Sequence, residues 1–345
     1  MAQISSACLH SRAPLGTTEN PEDQTVTGLA FIFPGQGSQE IGMGKALADA
    51  FPAAKAVFAE IDEALGQKLS DLMWNGDIAD LTLTANTQPA LMAHSVAAMR
   101  ALEAEFGLSA ADAMFVAGHS LGEYSALASA GAISLIDTAR LLRIRGNAMQ
   151  GAVAPGEGAM AALLGADVAQ AEAACVAGRE TGGVCELAND NAPGQLVLAG
   201  SKAAIDAACA YARENGVKKA MPLNVSAPFH CSLMQPAADA MAEALAGVDI
   251  KAPVVPVVAN ISASPTSDPD TIRKNLVDQV TGRVRWTESV QFMVGKGVTT
   301  TGEAGAGKVL TVMQRRIEKS LNGFTLGTPE DLEAFAAAIK GEAHV

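Results

Sequence analysis

The residues Gly118-His119-Ser120-Leu121-Gly122 fit the pattern G-x-S-x-G, in which a serine sits on a sharp turn between a strand and a helix. Such a turn pushes the hydroxyl out of a sheet. Glycines on both sides avoid clashes, and the following helix aims N–H groups at a developing oxyanion. The pattern alone is weak in a chain with 33 glycines; chance supplies it about once in six chains of this composition. Its context gives it weight. Ala113–Ala117 is a short apolar run that reads as a buried strand, and Glu123–Ala128 reads as a helix. The bland alternative is a structural turn.

A serine nucleophile needs a base. The chain has five histidines. His10 lies near the start, His344 is the penultimate residue, and His119 is inside the turn itself, where its side chain should point away from Ser120. His230 follows Ser226-Ala227-Pro228-Phe229 in a loop after a predicted strand, a position suited to catalysis. Elimination favours His230; a structural role for it, with His94 as the base, is the alternative. Arg143 and Arg145 fall on the next helix. Either could grip an anionic acyl group, because guanidinium matches carboxylate bidentately. Both could equally be solvated helix charges. Spacing does not choose between them.

The elements around these residues alternate. Leu29–Phe33 reads as a strand leading into Pro34-Gly35-Gln36-Gly37-Ser38-Gln39. Residues 40 to 106 look mostly helical, broken at Pro52, Asn75-Gly76 and Gln88-Pro89. A helix over about 134 to 150 follows the elbow helix. Between 154 and 222 the order is strand, helix, strand, strand, helix, strand, which is the ferredoxin-like arrangement. After it come a strand near Val254–Ala259, helices around 269 to 294, a strand near 298 to 301 and C-terminal helices.

Composition narrows the function. Hydrophobic residues are 49% and charged residues 18%, enough for a substantial core. The net charge of −13 and 4% aromatic content argue against nucleic acid as a partner. The five cysteines are scattered and form no C-x-x-C pair, so neither a disulfide framework nor a metal site is expected, and a reducing cytoplasm fits. No apolar run is long enough for a membrane span. Residues 1–27 lack an apolar h-region and read as a disordered tail rather than a secretory signal.

Several segments together resemble the malonyl-CoA:acyl carrier protein transacylase family of fatty acid synthesis, which is related to the acyltransferase domains of polyketide synthases. They are Phe33–Gln39, Thr87-Gln88-Pro89-Ala90, Gly118–Ala126, Arg145–Gln150, Asn191–Gln195, Pro228–Met234, Arg285–Val290 and Gly307–Leu310, in family order from about residue 29 onward. The resemblance implies an α/β fold. A hydrolase-like large domain with a parallel sheet would span 28–153 and 223–345, with an inserted ferredoxin-like small domain over 154–222. It implies Ser120 as nucleophile, His230 as base and Arg145 as the anchor of the malonate carboxylate. An oxyanion hole would come from the N–H groups of Gln36 and Leu121, with Gln88 and His119 lining or supporting the pocket. A main-chain carbonyl near Trp286 would orient His230. Malonyl-CoA and a phosphopantetheinylated acyl carrier protein would be substrates, with no cofactor. No Gly-x-Asp-Ser-Leu carrier motif is present, so the carrier would act in trans on a monomer. Phe229 is bulky enough to disfavour α-methyl branches, or it is simply core.

Two departures stand out. Arg285 replaces the Gln that family members often carry before the Trp, and Gly305-Ala306-Gly307-Lys308 lacks the Pro many members have there. If only backbone is used at these places, no chemical group is lost. Lys218, Lys219, Arg273, Lys274, Arg283 and Arg285 could meet coenzyme A phosphates or an acidic carrier, or be ordinary solvated charges. The rival readings are a serine thioesterase or hydrolase using the same pair, and a trans-acting polyketide acyltransferase. Gly302–Lys308 approaches a phosphate-binding loop, but Val309 stands where Ser or Thr must ligate Mg²⁺. Gly35-Gln36-Gly37 begins a dinucleotide fingerprint, but Glu40 occupies the third glycine's place.

Overall fold

A computed structural model describes residues 28–341. The expected tail over residues 1–27, with Cys8 and His10, and the terminal His344 lie outside the described residues. The chain opens with β1 (Leu29–Phe33). It then builds a helical layer from α1 (Lys45–Ala50), α2 (Pro52–Leu65), α3 (Leu69–Asn75), α4 (Ile78–Thr82) and α5 (Thr84–Phe106). Strand β2 (Phe115–Gly118) leads through the serine turn into α6 (Gly122–Ser129), and α7 (Leu135–Gly151) follows.

The next segment runs β3 (Gly158–Leu164), α8 (Val168–Arg179), β4 (Cys185–Ala192), β5 (Gln195–Ser201), α9 (Lys202–Glu214) and β6 (Lys219–Pro222). These four strands form an antiparallel sheet in the order β4-β5-β3-β6, the ferredoxin-like arrangement. Leu163, Leu196, Leu198, Ile205 and the three cysteines Cys175, Cys185 and Cys209 pack into a core of their own.

The chain then returns through α10 (Gln235–Ala246), β7 (Val257–Ala259), β8 (Ser264–Thr266), α11 (Pro269–Thr281) and α12 (Trp286–Gly295). It ends with β9 (Thr300–Ala304), α13 (Val309–Ile317), β10 (Asn322–Leu326) and α14 (Pro329–Lys340). The large sheet has the order β10-β9-β1-β2-β7-β8, parallel except for β8. Both faces are covered, so β1 is apolar throughout. Leu29, Phe31 and Phe33 enter one core, while Ala30 and Ile32 enter the other with Trp286 and Val290.

The structure differs from the sequence reading in three elements. Helix α5 runs straight through Gln88-Pro89. Pro89 lies near its start, and every residue from Thr87 to Met99 is buried, so packing overrides the bias of the residue before proline. Strands β8 and β10 lie at the two edges of the sheet. The first is exposed and the second half-exposed, so neither carries the apolar run that marks a buried strand. Among the described residues, no helix is long and apolar enough to cross a membrane.

Candidate active site

Ser120 stands where β2 ends and α6 begins, at the C-terminal edge of the parallel strands, where open α/β sheets place their ligands. Its φ of 53° lies in the left-handed region, as does that of His230 at 60°. Each such conformation costs about 1–3 kcal/mol and must be held by its surroundings. At Ser120 the clamp is Asn260, directly after β7. Its Oδ1 accepts the Ser120 N–H at 2.7 Å and its Nδ2 donates to the Gly118 carbonyl at 2.6 Å. The flanking glycines are required by close approach. A Cβ on Gly118 would lie 1.9 Å from the Gly122 backbone, and one on Gly122 would lie 2.2 Å from the Phe33 carbonyl.

Ser120 Oγ lies 2.8 Å from His230 Nε2. His230 Nδ1 lies 2.9 Å from the Gln279 carbonyl. A carbonyl only accepts, so Nδ1 carries the proton and Nε2 presents its lone pair to the serine. The orienting carbonyl is therefore that of Gln279, not one near Trp286. Gln279 lies in the last turn of α11, where helix carbonyls have no intrahelical partner and the dipole is negative. Trp286 instead packs edge-on to His119, with ring centroids 5.8 Å apart. Burial, then the charge of Arg145, lowers the His230 pKa to about 3.

Arg145 is buried, with 1% of its surface exposed. Its Nη1 donates to Gln88 Oε1 at 2.9 Å; its Nη2 donates to Gln279 Oε1 at 2.8 Å and to Ser120 Oγ at 3.1 Å. Its guanidinium carbon stands 5.6 Å from the centroid of the Tyr124 ring. Its Nε has no hydrogen-bond partner, and no ion pair among the described residues involves it. A buried guanidinium held only by amides and a hydroxyl is chemically suited to an anionic partner. Arg143 is used elsewhere, donating to Asn86 Oδ1 at 2.9 Å and Gln67 Oε1 at 2.8 Å.

Ser120, His230, Arg145, Gln36, Leu121, Gln88, His119 and Phe229 all line one cavity of about 270 Å³. The N–H groups of Gln36 and Leu121 have no hydrogen-bond partner among the described residues, which leaves two donors beside the serine. His119 Nε2 lies 2.8 Å from Asn191 Oδ1, and burial lowers its pKa. His94 is remote from the serine; its Nε2 lies 3.0 Å from the Gly327 carbonyl, and burial lowers its pKa to about 4.

Three contributors were not singled out as site residues from the sequence: Gln279, Asn260 and Glu123. Glu123 Oε2 accepts from the Asn260 N–H at 3.0 Å and from Gln279 Nε2 at 2.7 Å. Burial raises its pKa to about 7. Asn260 had one usable signal, its place immediately after a strand end. Gln279 had none, being one polar residue in an amphipathic helix.

The two departures leave the cavity intact. Arg285 pairs with Glu288 and donates to the Ser262 carbonyl at 3.2 Å. Ala306 is buried between Gly305 and Gly307, and Ser95 Oγ fixes the neighbouring Ala304 carbonyl at 2.7 Å. The phosphate-loop reading fails on geometry too. Glu303 already accepts the Leu310 and Thr311 N–H groups at the start of α13, at 3.0 and 2.7 Å. Of the basic candidates, Arg273 is tied to the carbonyls of Leu245 and Val248, Lys274 to Asp278, and Arg283 to Glu288. Lys218 and Lys219 are exposed.

A family model described as the acyl transferase domain matches residues 30–319. The malonyl CoA-acyl carrier protein transacylase of Bacillus subtilis (strain 168) is 45% identical over 314 residues, 91% of this chain and 98% of that protein. The crystal structure of an acyl-carrier-protein-S-malonyltransferase from Bartonella henselae matches with a TM-score of 0.88 at 54% identity, covering 91% of this chain and 99% of that one. A structure of a type II PKS acyl-carrier protein in complex with its malonyl-transacylase matches with a TM-score of 0.87 at 40% identity, covering 91% and 100%.

Proposed function

This chain belongs to the acyl transferase domain family, and we propose that it moves a malonyl group from coenzyme A to the phosphopantetheine thiol of an acyl carrier protein. The observation that carries this reading is the 3.1 Å between Arg145 Nη2 and Ser120 Oγ. A guanidinium that close to the nucleophile suits an acyl group whose carboxylate is one methylene from the reacting carbonyl.

In the proposed sequence, His230 Nε2 takes the Ser120 proton as Oγ attacks the thioester carbon. The oxyanion rests on the Gln36 and Leu121 N–H groups. The carbonyl re-forms, coenzyme A leaves as its thiol with the proton from His230, and a malonyl-Ser120 ester remains. The carrier's thiol then attacks that ester, its proton passing to His230, and Ser120 is released with the proton back on Oγ. The kinetics are ping-pong. The imidazolium formed twice per cycle is stabilised by the Gln279 carbonyl at the end of α11. Arg145 selects the substrate: its buried charge is left uncompensated by a neutral acyl group.

The proposed reaction draws on no cofactor beyond its thioester donor, malonyl-CoA, and its thiol acceptor, the carrier's phosphopantetheine. The reaction as written needs groups of a single chain, and the cysteines among the described residues, Cys175, Cys185, Cys209 and Cys231, are buried and unpaired, which suits a reducing cytoplasm. The solved complex of a relative with its carrier is the precedent for a carrier acting in trans.

The test is to supply malonyl-CoA with either holo or apo carrier protein. Malonyl should accumulate on the holo carrier alone, with stoichiometric release of coenzyme A. Free malonate forming as fast with no carrier present would mean the Ser120–His230 pair serves a hydrolase instead.

A further inference from the structure

Beyond the nucleophile, base and anion anchor, this region buries a carboxyl that the reaction does not use, that of Glu123, with 1% exposed surface. It sits in the first turn of α6, three residues after Ser120. It makes no ion pair among the described residues. Its Oε2 takes two hydrogen bonds, from the Asn260 N–H and from Gln279 Nε2.

The Gln279 amide is therefore a bridge with a defined direction. Its NH₂ end donates to Glu123 Oε2 at 2.7 Å and to the Ser120 carbonyl at 3.1 Å. Its oxygen end accepts from Arg145 Nη2 at 2.8 Å. Guanidinium only donates, so an amide turned the other way would set N–H against N–H and push the arginine out of place. Glu123 makes the shorter of the two bonds that fix the NH₂ end. The arrangement also keeps a carboxylate from pairing with Arg145 directly, which would fill the place of a substrate carboxylate. One amide is interposed, so the arginine is oriented and remains available.

We propose that Glu123 is a positioning residue for substrate selection: through the Gln279 side chain it holds the Arg145 guanidinium where an acyl carboxylate is bound. The inference rests on the reading of Arg145 as the carboxylate anchor. It leaves the base alone, because His230 is held by the main-chain carbonyl of Gln279 rather than its side chain.

A merely structural role, such as a first-turn acid favouring the helix N-terminus, would weaken all substrates alike. Malonyl-CoA and acetyl-CoA should therefore be compared in acyl-enzyme formation by wild type, Glu123→Ala and Glu123→Gln. Glu123→Ala should lower the malonyl-over-acetyl ratio of kcat/KM by about tenfold or more, the worth of a hydrogen bond to a charged group. Glu123→Gln, which keeps an accepting oxygen, should restore most of the ratio. Glu123→Leu, of similar bulk but with no acceptor, serves if the alanine variant does not fold, and should show the same selective loss. Equal falls for both substrates, or an unchanged ratio, would overturn the proposal. A wild type with no malonyl preference would instead remove the anchor reading of Arg145, and this inference with it.

Discussion

The Gln279 carbonyl stands 2.9 Å from His230 Nδ1 and thereby does for the base what a carboxylate does in a Ser-His-Asp triad. A carbonyl at a helix C-terminus fixes the tautomer without adding a full negative charge. With Arg145 close by, the ring is kept neutral at rest.

The pH behaviour follows. The pKa of His230 is lowered from 6.5 to about 3 in the folded chain, by burial and then by Arg145. The base is therefore ready throughout the neutral range. Followed by NMR, the His230 ring should show no protonation between about pH 8 and about pH 5. Its depressed pKa means that the unfolded chain binds the proton more readily. This group's contribution to stability is full above 6.5 and falls as the pH drops toward 3. A ring titrating near 6.5 would contradict the account.

Arg145 should separate substrates. Arg145→Ala should reduce malonyl kcat/KM by about 30- to 1000-fold, from the loss of roughly 2–4 kcal/mol of charge-assisted hydrogen bonding. Acetyl transfer should change far less. Stopped-flow or quenched assays on the two thioesters measure this, and a variant that still prefers malonyl would refute the anchor role.

Strain at the nucleophile should be visible as stability. Ser120→Gly removes the Cβ that makes a φ of 53° costly, while Ser120→Ala keeps it. The glycine variant should exceed the alanine variant by about 1 kcal/mol in denaturant unfolding. Equal stabilities would mean that the elbow is not strained at this residue.

Phe229 lines the cavity beside the base with 9% of its surface exposed. Phe229→Ala should improve methylmalonyl-CoA against malonyl-CoA by about tenfold, the worth of one methyl-sized change in an apolar wall. A competition assay gives the ratio; no change would make Phe229 simply part of the core.

The sequence makes the nucleophile legible because strand, turn and helix are contiguous there, and His230 by elimination among few histidines. The βαββαβ order of the small domain is readable because each strand is bounded by turns and each helix has its own period. Arg145 against Arg143 is not decided by spacing, since both lie on α7; only packing ties Arg143 to Asn86 and Gln67 and frees its neighbour. The Glu123–Gln279–Asn260 set is invisible for a deeper reason. Its members come from α6, α11 and the end of β7, and only tertiary packing brings them together. The carbonyl expected near Trp286 is missed for the same reason, because a backbone oxygen carries no sequence signal. Edge strands β8 and β10 escape because half-exposed strands lack the apolar run of β1.

A covalent malonyl group on Ser120 is tested most directly by intact mass after mixing the protein with malonyl-CoA alone. One malonyl adduct on wild type, absent from Ser120→Ala and discharged on adding holo carrier protein, is the predicted result. No adduct on wild type, while malonate and coenzyme A accumulate, would contradict it.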